Sequence, residues 1–391
     1  MWNKVYEQID GLYERMVEDR RYLHQHPELS FEEKETSRFI KERYDKLGIP
    51  YTSNIGGYGI VARIEGGKPG KTVALRADFD ALPIQEENDV PYKSKVDGVM
   101  HACGHDGHTA SLLAIAEAVL PFKDELQGTI VLLHQPAEEF APGGAKPMIE
   151  DGALEGVDAV FGTHLWATSP LHTIESKSGA FMGGADRFEI IFKGKGGHGA
   201  MPHQTKDPVM MAGQATVDLQ QIVSRRLDPL HSAVLTIGVM EAGEAFNVIP
   251  DTARLQGTVR YLDKEVQEQI INEMEKVVKG IAESYDADYD FDYVKGYPPV
   301  VNHEAETKYY LNLGHEIPDV KEVNDVPPVM GGEDFAYYLE ERPGAFFFTG
   351  AQIEGHDYPH HHPKFDINEQ ALPIAAKALV HGYKKYQEDH A

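Results

Sequence analysis

Cysteine is almost missing: Cys103 is the only one in 391 residues. An intrachain disulfide is therefore excluded, and a lone thiol fits a reducing compartment. Long hydrophobic runs are also missing. No stretch is long enough to span a bilayer, and residues 1–21 mix apolar and charged side chains without a signal-peptide block, so a cytoplasmic protein is expected. Basic residues are scarce beside acidic ones, 37 Lys and Arg against 63 Asp and Glu, giving a formal net charge of −26. Such a chain repels polyphosphate backbones and anionic lipid surfaces, which argues against nucleic-acid and membrane partners. What is present, 41% hydrophobic and 26% charged residues, describes a globular chain, and its length favours two domains. Histidine is plentiful, and several of the 19 stand in tight groups.

Apolar residues Val5, Ile9, Leu12, Tyr13 and Met16 repeat at helical spacing and predict an amphipathic opening helix that stops by His26-Pro27. Short β-rich runs follow at residues 58–64 and 72–77, the second leading into Asp78-Phe79-Asp80. A helix is expected over 108–120. An apolar strand over 129–134 leads to Glu138-Glu139, and another over 157–163 finishes at His164. Strands alternating with helices predict an α/β fold with a mainly parallel sheet, whose ligands gather beyond the carboxyl ends of the strands. From about Gly183 the rhythm changes to strand 187–193, helix 208–226, strands 233–241 and 253–261, helix 264–284 and strand 288–294. This β-α-β-β-α-β order predicts an inserted α+β domain of ferredoxin-like type. The expected division is a discontinuous catalytic domain, 1–183 with 297–391, and an insert over 184–296. A strand at 345–349 and a closing helix at 369–386 complete the first domain.

Four groups carry chemistry. In Met100-His101-Ala102-Cys103-Gly104-His105-Asp106-Gly107-His108 a thiol and an imidazole separated by one glycine can face one metal ion, although the segment alone reads equally well as a polar loop entering a helix. Glu138-Glu139 can divide labour, one carboxylate binding metal and the other taking a proton from water; an arbitrary Glu-Glu pair is more often an exposed acidic loop. His164 ends an apolar strand, where a histidine is more often structural. His360-His361-His362 is an exposed loop by default. Jointly these residues supply sulfur, nitrogen and oxygen donors at strand ends, and five donors exceed one open tetrahedral site, so two ions fit better.

The segments 74–83 (Ala-Leu-Arg-Ala-Asp-Phe-Asp-Ala-Leu-Pro), 103–106 (Cys-Gly-His-Asp), 136–139 (Pro-Ala-Glu-Glu), 194–198 (Gly-Lys-Gly-Gly-His), 247–251 (Asn-Val-Ile-Pro-Asp) and His361-x-Pro-x-Phe365 run in order along nearly the whole chain. Together they resemble the M20 metallopeptidase family, in particular its amidohydrolase branch of aminoacylases, hippurate hydrolases and auxin-conjugate hydrolases. The resemblance implies two divalent ions, Mn2+ or Zn2+, with Cys103 as bridge and His105, Glu139, His164 and His361 completing the ligands. The histidine run leaves His360 and His362 open as substitutes for His361. It further implies Glu138 as general base, Asp80 as the carboxylate orienting a metal-binding histidine, and an inserted lid that closes or dimerises. In that lid His198 would stabilise the oxyanion, often in a neighbouring subunit's site; the bland reading of its segment is a flexible glycine turn. Asn247 and Arg260 are candidates for the substrate carboxylate, though a strand arginine is more often a surface ion-pair partner. Where Cys103 stands many members of the wider family carry aspartate, and cysteine points to the amidohydrolase branch. The expected reaction is hydrolysis of the amide bond of an N-acyl amino acid. Rivals are a metallo-dipeptidase, a cysteine amidase using Cys103, and a noncatalytic metal-binding protein.

Overall fold

The computed structural model describes all residues, Met1–Ala391, in two compact units. The first comprises residues 1–179, 300–327 and 334–391, and the second comprises residues 180–299 and 328–333.

The first unit is built on one eight-stranded sheet. Its order across the sheet is 51–55, 59–65, 127–135, 68–78, 159–166, 344–350, 173–176, 322–325. The central neighbours 127–135, 68–78, 159–166 and 344–350 pair parallel, while the first three strands meet antiparallel and strand 173–176 runs against 344–350. Near-continuous burial along Gln127–Gln135, Ala159–Trp166 and Gly344–Gly350 explains why these segments read as apolar runs without alternation. Helix His105–Val119 packs on strand Lys68–Asp78, and helix Ala371–Asp389 packs on both Lys68–Asp78 and Ala159–Trp166. Glu117 is the one residue of His105–Val119 outside full burial, as expected for a helix apolar on nearly every side.

Two buried charge networks fix the ends of these elements. Arg76 donates to Gln135 Oε1 at 2.8 Å, Asp78 Oδ2 at 2.6 Å and Asp334 Oδ1 at 2.9 Å, tying the carboxyl ends of two neighbouring parallel strands together. Arg20 donates to Asp106 Oδ2 at 2.9 Å, Asp366 Oδ1 at 2.7 Å and Glu369 Oε1 at 3.1 Å. It thereby joins the second helix, Tyr13–Gln25, to the start of His105–Val119 and to the segment after the histidine triplet. Removing one member of such a buried set leaves the others unpaired and costs about 3–5 kcal/mol.

Several boundaries differ from the sequence expectation. The opening segment forms two helices, Trp2–Gly11 and Tyr13–Gln25, separated at Leu12. The helix expected at 108 begins at His105, because Gly104 adopts φ +95° and caps it there. Strand Ala159–Trp166 continues past His164. Helix 208–226 ends at Asp218 and gives way to a wider turn over Ile222–Arg226.

In the second unit, strands 233–242, 252–261, 184–193 and 288–297 lie in that order, every neighbouring pair antiparallel. Helix Pro208–Asp218 starts with Asp207 accepting from the Val209 N–H at 2.9 Å and with proline in its first turn. Helix Lys264–Ser284 starts likewise on Asp263 and buries Val266, Ile270, Met274, Val278 and Ile281, one stripe of a 3.6-residue repeat. These side chains meet Phe188, Ile190, Phe192, Leu255 and Val259 in a separate core.

Candidate metal centre

The site lies at the carboxyl ends of the central parallel strands. Strand Lys68–Asp78 delivers Asp78 and, two residues on, Asp80; strand Gln127–Gln135 leads into Glu138 and Glu139; strand Ala159–Trp166 carries His164. Cys103 and His105 flank Gly104 at the start of helix His105–Val119.

The donors converge. Cys103 Sγ lies 3.3 Å from His164 Nε2, and His105 Nε2 lies 3.7 Å from Glu139 Oε1 and 3.9 Å from Glu138 Oε2. Ligand atoms of Cys103, His105 and His164 fall within 4.8 Å of one another, as do those of Cys103, Glu139 and His361, and those of His105, Glu138 and Glu139. The first two groups share Cys103. His105 Nε2 and Glu139 Oε1 are buried without hydrogen-bond partners, an expensive arrangement that a cation between them would relieve. A site of sulfur, imidazole and carboxylate donors can hold divalent metal ions.

The surrounding hydrogen bonds leave the correct ring nitrogens free. His105 Nδ1 is 3.1 Å from Asp80 Oδ1, so Nδ1–H donates there and Nε2 is the ring nitrogen turned toward Glu138 and Glu139. His164 Nδ1 donates to Leu165 O at 3.0 Å, leaving Nε2 toward Cys103. His108, which sequence reasoning gave no role, donates from Nδ1 to Asp78 Oδ1 at 2.5 Å and accepts the Leu165 N–H on Nε2 at 2.9 Å. It holds the backbone next to His164.

Of the histidine triplet, His361 joins the group: its Nε2 is 3.3 Å from Glu139 Oε2, with its backbone N–H on Ala102 O at 2.8 Å. His360 Nε2 accepts from the Ala167 N–H at 3.2 Å, so the nitrogen 3.8 Å from Cys103 Sγ, Nδ1, carries the proton. His362 Nδ1 accepts from the Lys364 N–H at 3.0 Å.

The clustered carboxylates dominate the electrostatics of the site. Burial disfavours the charged His105 ring, yet Asp78, Asp80 and Glu139 outweigh it and push its pKa up to about 10. Burial, reinforced by Glu139, Glu138 and Asp78, raises the Cys103 thiol well above its usual value. Burial keeps His164 neutral, the state a metal ligand requires.

His198 and Asn247 belong to the second unit. Gly197–His198 pairs with Val248–Ile249, His198 opposite Val248, and the Gly199 N–H donates to Asn247 O at 2.9 Å, so the two candidates stand on adjacent, exposed backbone. Arg260 is elsewhere, half-buried on strand Thr252–Tyr261, with its guanidinium on Thr258 Oγ1 and Val259 O. The structure thus brings Cys103, His105, Glu138, Glu139, His164, His361 and Asp80 together in the first unit and pairs His198 with Asn247 in the second.

The sequence profile of peptidase family M20/M25/M40 matches residues 74–384. The chain belongs to this family. Among M20 relatives it is 56% identical to YhaA of Bacillus subtilis, a protein named as an amidohydrolase, over 96% of each chain. It is 44% identical to the N-acetyl-L-cysteine deacetylase of the same organism, over 96% of this chain and 89% of the relative. The crystal structure of B. subtilis YXEP, described as a dinuclear metal binding peptidase of the M20 family, superposes with a TM-score of 0.85 at 37% identity, covering 97% of this chain and 99% of that one. As an M20 member the chain is a hydrolase of the metallopeptidase and amidohydrolase class. No helix is long and apolar enough to cross a membrane.

Proposed function

We propose that the protein hydrolyses the amide bond of small N-acyl amino acids, using two divalent cations, Mn2+ or Zn2+, held by Cys103, His105, Glu139, His164 and His361. The observation that carries this reading is the pair of donor groups sharing Cys103, with His105 Nε2 and Glu139 Oε1 left without partners between them. Bound there, the ions would polarise the acyl carbonyl and lower the pKa of the attacking water. Glu138, buried and 3.9 Å from His105 Nε2, takes the proton from that water and returns it to the leaving nitrogen. Asp80 keeps His105 in the tautomer that leaves Nε2 free. The products are a carboxylic acid and a free amino acid.

In the second unit the element order and sheet order support a ferredoxin-like lid over roughly 184–296. His198 would stabilise the oxyanion and Asn247 beside it would bind substrate, while Arg260 would reach the substrate carboxylate only after leaving its intrachain acceptors. Strand Ala233–Ala242 is an unpaired sheet edge, with Val234 and Met240 exposed and Met210 and Val217 on the nearby helix also exposed, which supports a homodimer formed through this unit. A lone reduced Cys103 supports a cytoplasmic site of action.

The test is a panel of N-acetyl and N-benzoyl amino acids and unblocked dipeptides, run on protein reconstituted with Mn2+ or Zn2+. Turnover of the acylated compounds, lowered about 10²–10⁴-fold by Glu138→Ala with metal content unchanged, is the expected result. Preference for dipeptides with a free amino terminus would move the assignment to a peptidase, and a wild-type protein inert on the whole panel would leave a metal-binding protein.

A further inference from the structure

The turn that carries Glu138 and Glu139 leaves strand Gln127–Gln135 through Pro136 and Ala137. Ala137 is fully buried and adopts φ +54°. An alanine in the left-handed region brings its Cβ against the following carbonyl, so it persists there only where its surroundings hold it. The Ala137 N–H donates to Glu33 Oε1 at 2.8 Å, and the Glu33 side chain is itself fully buried. Two residues on, the Glu139 N–H donates to Asp80 Oδ2 at 2.9 Å. Carboxyl groups from two distant segments therefore grip the backbone on either side of Glu138. Glu33 sits in the charged run Glu32-Glu33-Lys34, and it alone of the three is fully buried.

We propose that Glu33 is a positioning residue for the reaction: by holding the Ala137 N–H it maintains the left-handed turn that aims the Glu138 carboxylate at the substrate. This rests on the hydrolase mechanism proposed above, in which Glu138 is the base. Glu33 touches neither substrate nor cation in this account and acts only through Ala137. Burial, together with the negative charge of Asp80, pushes the Glu33 carboxyl up to about 8, so near neutrality it serves mainly as an uncharged acid with a carbonyl-type oxygen toward Ala137. Glutamine offers the same shape and the same acceptor; alanine and methionine offer none.

Steady-state kinetics on the full-length, metal-loaded protein with an N-acetyl amino acid decide the matter, with metal content and thermal unfolding read on the same samples. Glu33→Ala and Glu33→Met are expected to lower kcat about 30-fold or more while KM moves less than about 3-fold and the metal stays, because the loss is one of aim and not of binding. Glu33→Gln should remain within about 3-fold of wild type. Adding Ala137→Gly to Glu33→Ala should restore kcat about 10-fold, since glycine takes the left-handed turn unaided. Wild-type kcat in Glu33→Ala, equal damage in Glu33→Gln, or no recovery with Ala137→Gly would overturn the proposal, as would failure of both Glu33→Ala and Glu33→Met to fold. A wrong reading of the reaction itself shows separately, as wild-type activity that Glu138→Ala does not reduce.

Discussion

Asp80 grips His105 twice: its carboxylate Oδ1 and its main-chain oxygen each lie 3.1 Å from His105 Nδ1. The other carboxylate oxygen accepts the Glu139 N–H at 2.9 Å and the Ser30 hydroxyl at 2.7 Å. One buried carboxylate thus sets the ring of one proposed ligand and the backbone of another. Asp80→Ala should weaken metal affinity about 10–100-fold, measured by competition with a chelating dye. Unchanged affinity would show that neither donor depends on Asp80.

The histidine triplet gives a sharper contrast. His361 Nε2 faces Glu139, whereas His360 accepts a backbone N–H on Nε2 and presents a protonated Nδ1 to Cys103. His361→Ala is expected to lose about one ion per chain while His360→Ala keeps both, as read by elemental analysis after dialysis against a weak chelator. The reverse pattern would move the ligand to His360.

Stability should depend on pH through Glu33. Its folded-state pKa is raised by burial from about 4.5 to about 8, so folding takes up a proton between those values. The native state binds more protons than the unfolded state in that window, and stability is full below about pH 4.5 and lost as pH rises toward about 8. Glu33→Gln cannot ionise. Its melting temperature relative to wild type should therefore climb between about pH 5 and about pH 8 in thermal scans, and a constant difference would refute the shift.

The central strands were legible because burial on both faces gives unbroken apolar runs: residues 129–134 and 345–349 fall inside strands Gln127–Gln135 and Gly344–Gly350. Tyr51–Ile55 and Glu322–Asp325, the two outer strands of the same sheet, were not. Each is short and largely polar, and the sheet beside it supplies the pairing that its own pattern does not announce. No donor group was decisive by itself; what singled them out was their joint placement at strand ends and the order of the motifs along the chain. The residues supporting them were hidden by distance. Glu33 reaches Ala137 across 104 positions, and His108 reaches Leu165 across 57, contacts that no local spacing records. Arg20 reads as one more charge on an amphipathic helix and proves fully buried against three carboxylates.

The most direct measurement counts metal and activity together. Protein stripped of metal and titrated with Mn2+ or Zn2+ should gain hydrolysis of an N-acyl amino acid as bound metal rises, with saturation at about two ions per chain. Full turnover by chains verified free of metal would contradict the account.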